Sequence, residues 1–137
     1  MYLFKYTERN NVDPIEQRIG DFFSALCRGD IEAWMATFSA DASSHDPVGT
    51  PPHIGHPALR QFFVNVSAAF KSLEIAAEDV MVCGSRGAAK WRATGVGQNG
   101  RTVKFTGIDV FEMDAAGKIN TLWGFWDPSA MFAELNG

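Results

Sequence analysis

Apolar positions recur every three to four residues in the first half of the chain and every second residue in much of the second half. Ile15, Ile19, Phe22, Phe23 and Leu26 share one helical face. The segment Asp13-Pro14-Ile15-Glu16 supplies a cap, a proline suited to the first turn and a glutamate in capping-box position, so a helix is predicted to start there. Arg28-Gly29 supplies its stop, and Asp30 then caps a second, shorter helix predicted through Trp34, Met35 and Phe38. Residues 42–46 read as a short extended piece running into Asp46-Pro47-Val48-Gly49, and residues 50–55 read as loop. A third helix is marked by Pro57 and by Leu59, Phe62, Phe63, Val66 and Phe70 at helical spacing.

Residues 73–83, 87–96, 102–113 and 118–126 are rich in β-branched and aromatic side chains. The breaks between them, Gly84-Ser85-Arg86-Gly87, Gln98-Asn99-Gly100 and Asp114-Ala115-Ala116-Gly117, read as hairpin turns, so an antiparallel meander is predicted. Three helices followed by such a meander make an α+β domain whose curved sheet wraps the helices. Asp127-Pro128 could cap a last helix through Met131, Phe132 and Leu135 and close one end.

Composition narrows the class of function. At 137 residues the chain fits one domain, residues 1–137 with 1–12 as an N-terminal extension, and its 11 Phe and 4 Trp supply bulky core material. The net charge of -4, with Lys and Arg scattered singly, leaves no basic footprint for a nucleic acid. Cys27 and Cys83 are too few for a disulfide framework and are read as small buried hydrophobes. The opening MYLFKYTERNN lacks the apolar run of a signal peptide, and no stretch approaches the roughly 18 apolar residues of a membrane span. A soluble, cytoplasmic protein is expected.

Two carboxylates stand out as candidate chemistry. At period two, Val103, Phe105, Gly107, Asp109 and Phe111 share one face, which places Asp109 among aromatic residues. Burial there raises a carboxyl pKa, and a carboxyl kept neutral can donate a hydrogen bond to a developing oxyanion. The pattern alone leaves open a bulge or a solvent-facing strand. Asp46, before a proline at the end of an extended segment, reads by itself as a turn initiator. His53 and His56 are three apart with His45 and Asp46 nearby, yet a proline-rich loop does not fix ligand geometry, so no metal is expected. His45 should point opposite to Asp46. Trp123, Phe125 and Trp126 read as core with partial exposure to a pocket.

The run ASSHDPVGTPPHIGHPALRQFF, residues 42–63, resembles the ketosteroid isomerase segment in which an Asp-Pro-Val-Gly turn carries the general base. Residues 100–109, GRTVKFTGID, continuing through Phe111 to Ala116-Gly117-Lys118-Ile119, resemble the strand and hairpin that hold that family's protonated aspartate. Both align without gaps relative to Gly29-Asp30, and the likeness spans residues 15–125. The resemblance implies the cone-shaped NTF2-like fold, three N-terminal helices packed on a curved antiparallel sheet. It implies Asp46 as a base acting at a carbon next to a carbonyl and Asp109 as a neutral oxyanion donor, a division of labour known from ketosteroid isomerase itself.

The family's oxyanion tyrosine corresponds to Phe22, and its supporting tyrosine to Phe63. Neither ring can donate, and loss of one such donor costs about a hundred- to thousandfold in rate. The pocket expected from the resemblance is lined by Phe22, Phe63, Phe105, Phe111 and Trp123. The expected activity is proton shuttling on a hydrophobic cyclic carbonyl compound, in the manner of a steroid delta-isomerase, without a cofactor. A SnoaL-like polyketide cyclase or dehydratase is the second enzymatic reading, which His45 or His53 inside the cavity would favour. A non-catalytic ligand-binding or dimerising module is the third. The resemblance also implies a homodimer through the open sheet face carrying Ile108 and Val110.

Overall fold

In the computed structural model, which describes residues 12–137, ten elements follow one another. They are α1 (Pro14–Arg28), α2 (Ile31–Met35), β1 (Phe38–His45), β2 (His53–Ile54), α3 (His56–Ala69), β3 (Phe70–Cys83), β4 (Arg86–Gly97), β5 (Thr102–Met113), β6 (Ile119–Phe125) and α4 (Pro128–Asn136). Almost all of the N-terminal extension expected over 1–12 lies outside the described residues. Asp13 caps α1 by accepting from the Ile15 amide at 2.7 Å, Gly29 ends it in the left-handed region at φ 70°, and Asp30 caps α2 through the Ala33 amide.

Two predicted helix ends are corrected. Phe38 opens β1 instead of closing α2, and Phe70 opens β3 instead of closing α3. In both, an aromatic at helical spacing is buried equally well from the first position of a strand, so the spacing could not mark the boundary. The 50–55 loop contains the two-residue strand β2, which pairs antiparallel with Ser43 and Ser44 of β1.

The sheet runs β2-β1-β6-β5-β4-β3 and is antiparallel except where β1 lies parallel to β6. Its inner face is covered by the helices, and the core joins Ile19, Phe22, Phe23, Trp34, Phe38, Leu59 and Phe63 to Trp91, Phe111, Ile119 and Leu122. The inner face of β4 is built from small residues, Gly87, Ala89, Ala93, Gly95 and Gly97, around the single large Trp91. A Cβ on Gly87 would lie 2.5 Å from Ile19, and one on Gly95 would lie 2.6 Å from the Phe70 ring. Missing side chains on β4 thus admit α1 and the start of β3.

Cys27 and Cys83 are both exposed, which corrects their reading as buried hydrophobes. Cys27 falls on the outer side of the last turn of α1, and Cys83 ends an outer strand at the hairpin. No helix among the described residues is long and apolar enough to cross a membrane.

Candidate active site

β1 delivers His45 and Asp46 to opposite faces of the sheet. His45 pairs in register with Trp123, and their rings lie parallel with centroids 6.3 Å apart on the outer face. Alternation turns Asp46 inward. The Asp46–Pro47 peptide is cis, Val48 donates its amide to the Gly124 carbonyl at 2.8 Å, and Thr50 donates its hydroxyl to the Pro47 carbonyl at 2.8 Å. The Val48 bond ties the Asp-Pro-Val-Gly turn to β6, and the Thr50 bond closes the turn on itself.

Gly124 pairs directly with Asp109 across β5 and β6. A Cβ on Gly124 would lie 2.3 Å from Asp46 Oδ1 and 3.2 Å from Asp109 Oδ1. The two carboxylates therefore converge on the space this glycine leaves open. Each carries its own indole donor: Trp126 Nε1 donates to Asp46 Oδ1 at 2.7 Å, and Trp91 Nε1 donates to Asp109 Oδ1 at 3.0 Å. Trp91 reaches Asp109 because its strand partner is Gly107, where a Cβ would lie 2.4 Å from the indole ring.

Burial raises the Asp109 carboxyl well above the ordinary aspartate range, and the nearby Asp46 charge raises it further, while the Trp91 hydrogen bond opposes both. Burial also raises Asp46, but there the Trp126 hydrogen bond and the charge of His53 pull back toward the ionised form. Asp109 has the larger push toward its protonated form, so of the two it is the one that keeps a proton to higher pH. An indole N–H only donates, so Asp109 Oδ1 serves as acceptor and Oδ2 is left to carry that proton.

The carboxylates open on a cavity of about 290 Å³, walled by Phe22, Trp34, Phe62, Phe105, Trp91 and Trp126 and bordered at α4 by Met131 and Phe132. That size is at the small end for ligand pockets and suits a compact apolar molecule. Of the residues expected in the pocket, Phe22 and Phe105 line it. Phe63 and Phe111 do not: they are 4% and 0% exposed in the packed core behind it. Trp123 lies on the opposite face of β6, because the alternation that brings Leu122 and Gly124 inward turns it out.

Trp126 was visible as one of three aromatic residues near the end of β6. Trp91, Trp34 and Phe62 carry no motif. The signal for Trp91 is the run of small residues around it on β4, which leaves one large side chain facing the helices. His53 packs on Phe62 with ring centroids 5.1 Å apart, and His56 lies at the start of α3 with Nε2 3.3 Å from the Phe38 carbonyl. None of His45, His53 and His56 lines the cavity, and among the described residues no three His, Cys, Asp or Glu side chains cluster to hold a metal ion.

Residues 19–121 match the SnoaL-like domain family. The chain belongs to that family. This SnoaL-like chain is 29% identical over 118 residues to the steroid Delta-isomerase of Nocardioides simplex, a match covering 85% of this chain and 93% of that protein. Among solved structures it superimposes on SalBIII, described as an epoxide hydrolase/cyclase-like enzyme with a role in pyran ring formation in polyether salinomycin. There the TM-score is 0.75 at 26% identity, with 84% of this chain and 92% of that chain covered. TerC, crystallised with polyporic acid, shares the fold at a TM-score of 0.80 and 15% identity, over 91% of this chain and 100% of that one. The SnoaL-like chain thus has an NTF2-like α+β fold, and enzymes of isomerase and cyclase type stand among its relatives.

Proposed function

We propose that this protein is an acid–base enzyme that moves a proton at a carbon next to the carbonyl of a hydrophobic cyclic compound, in the manner of a steroid delta-isomerase. The observation that carries this reading is the pair of carboxylates meeting over Gly124 with unequal environments. Asp46, the more readily ionised, takes the proton from carbon and returns it to another. Asp109, protonated, donates from Oδ2 to the oxygen on which negative charge develops. The apolar lining of the cavity lowers the local dielectric and strengthens both interactions. Phe22 lines the cavity without a donor, so turnover is expected to be slow compared with an enzyme that has a phenol there.

The test is isomerisation of a β,γ-unsaturated ketosteroid by wild type, Asp46→Asn and Phe22→Tyr. The expected result is weak activity in wild type, a loss of about a hundredfold or more in Asp46→Asn, and a gain of up to about a hundredfold in Phe22→Tyr. An Asp46→Asn variant as active as wild type would end the proposal.

A second reading, ring closure on a polyketide-type chain, draws on the 26% identity to SalBIII. With no histidine lining the cavity, it would run on the same two carboxylates. Ketosteroid turnover separates the two, and probe binding without any turnover would mark a binding module. We further propose a homodimer through the outer sheet face, where Ile108 and Phe125 are 47% and 50% exposed beside Val110 and Trp123.

A further inference from the structure

β2 is two residues long, yet its register brings a titratable side chain beside the candidate base. Ser43 pairs with Ile54 and Ser44 with His53. Ser44 is 2% exposed and Ile54 is 63% exposed, so the Ser44–His53 pair faces inward. Asp46 follows Ser44 by two residues and also faces inward, toward the cavity. His53 and Asp46 are therefore diagonal neighbours on one face, a relation that sets side chains about 7–8 Å apart. The His53 ring packs on Phe62 with centroids 5.1 Å apart, and Phe62 lines the cavity together with Asp46. His53 itself does not line it, so it stands behind the Phe62 wall, where it acts on Asp46 by charge and not on a ligand by contact.

Other charges nearby are either negative or already matched. Asp109 faces Asp46 across Gly124, and the Trp126 indole donates to Asp46 without bringing a charge. Around His53, β1 also carries Asp41, which accepts from Ser39 at 3.2 Å, and His45, which stacks on Trp123 on the outer face. α3 carries His56, with Nε2 3.3 Å from the Phe38 carbonyl, and Arg60, which pairs with Glu32 of α2 at 2.8 Å. Burial raises the Asp46 carboxyl, and the Trp126 hydrogen bond and the His53 charge oppose it. Among the described residues, His53 is the side chain that brings positive charge to Asp46.

We propose that His53 is a positioning residue for the base: its imidazolium, set behind the Phe62 wall, keeps Asp46 ionised into mildly acid pH. The consequence for turnover rests on the proton-transfer reading, whereas the effect on the Asp46 charge does not. An ordinary imidazole takes up its proton as pH falls through about 6.5, on the way down to the range where a buried carboxylate takes up its own. The opposing charge thus arrives as Asp46 comes to need it. A histidine that merely filled space against Phe62 would have an effect independent of pH.

The test compares His53→Gln, which removes the charge and keeps a polar side chain, with His53→Lys, which keeps a positive charge throughout the range. Carbon-13 NMR of the Asp46 carboxyl reads its ionisation directly. Its midpoint is expected to rise by about 0.4–0.8 pH unit in His53→Gln, the range for charges 7–8 Å apart at an effective dielectric of about 40–80. In His53→Lys it is expected to stay at or below its wild-type place. The acid limb of kcat/KM for a β,γ-unsaturated ketosteroid should move in step. The loss in His53→Gln should reach about two- to sixfold below that limb and fade toward pH 8, where imidazoles are neutral in any case. A midpoint unmoved in His53→Gln, or moved alike in both variants, would overturn the proposal. Failure of the proton-transfer reading is seen separately, as absence of turnover in every form while the Asp46 midpoint still follows the charge at residue 53, an outcome that leaves the assignment of His53 standing.

Discussion

At the scale of single residues, the site is governed by how the surroundings treat two chemically identical side chains. In the proposed mechanism Asp46 loses its proton to act as a base and Asp109 keeps its own to donate, so kcat/KM is expected to follow a bell against pH with an acid limb above the usual aspartate range. Asp109→Asn keeps a neutral donor and an oxygen for Trp91, and should remove the alkaline limb. The same substitution bears on stability. The folded pKa of Asp109 is raised, so the native chain holds a proton that the unfolded chain has already lost over the window between the two values. Stability is full below the ordinary aspartate range and declines as pH rises through the folded value. A melting series should therefore show Asp109→Asn gaining on wild type as pH rises through that window, and parallel curves would contradict the assignment. Much of this was legible in sequence because Asp-Pro-Val-Gly and the alternating face of 103–111 mark both carboxylates. Their indole partners were not, since a hydrogen bond between Trp91 and Asp109 depends on strand register that no local pattern encodes.

At the scale of elements, the sheet is assembled as much by omitted side chains as by those present. Helix caps and hairpin turns are local signals, and they located most elements to within a few residues. The parallel pairing of β1 with β6 joins residues about 80 positions apart and was not visible as any period. It is this pairing that sets the Asp46 turn beside Gly124. The corresponding test lies at Gly107, where a new Cβ would meet the Trp91 ring at 2.4 Å and the Phe125 carbonyl at 2.8 Å. Backbone on one side and a packed indole on the other leave little room for relaxation. Gly107→Ala should destabilise the fold by about 1–3 kcal/mol in denaturant unfolding and, by displacing Trp91, raise the Asp109 pKa further. An unchanged midpoint would show that β5 shifts more freely than its packing implies.

At the scale of the whole molecule, the two faces of the sheet differ in what they present. The inner face carries the cavity, and the outer face presents a row running Ala88, Val110, Trp123 and His45 across four strands, next to Ile108 and Phe125. Sedimentation at micromolar concentration is expected to give a dimer, and Phe125→Lys combined with Ile108→Lys a monomer. A wild-type monomer would remove the proposal. On the inner side, the acid–base pair and its indole donors hang from β4, β5 and the ends of β1 and β6, whereas much of the remaining enclosure comes from α1, α2, α3 and α4. Reactivity and ligand shape are thereby written on separate parts of the chain. If the proposed proton transfer holds, substitutions at Leu26, Val66 or Phe132 should recut the mould and leave both carboxylates in place, so a protein library varied only on the helices would be a means of retargeting one chemistry to many skeletons.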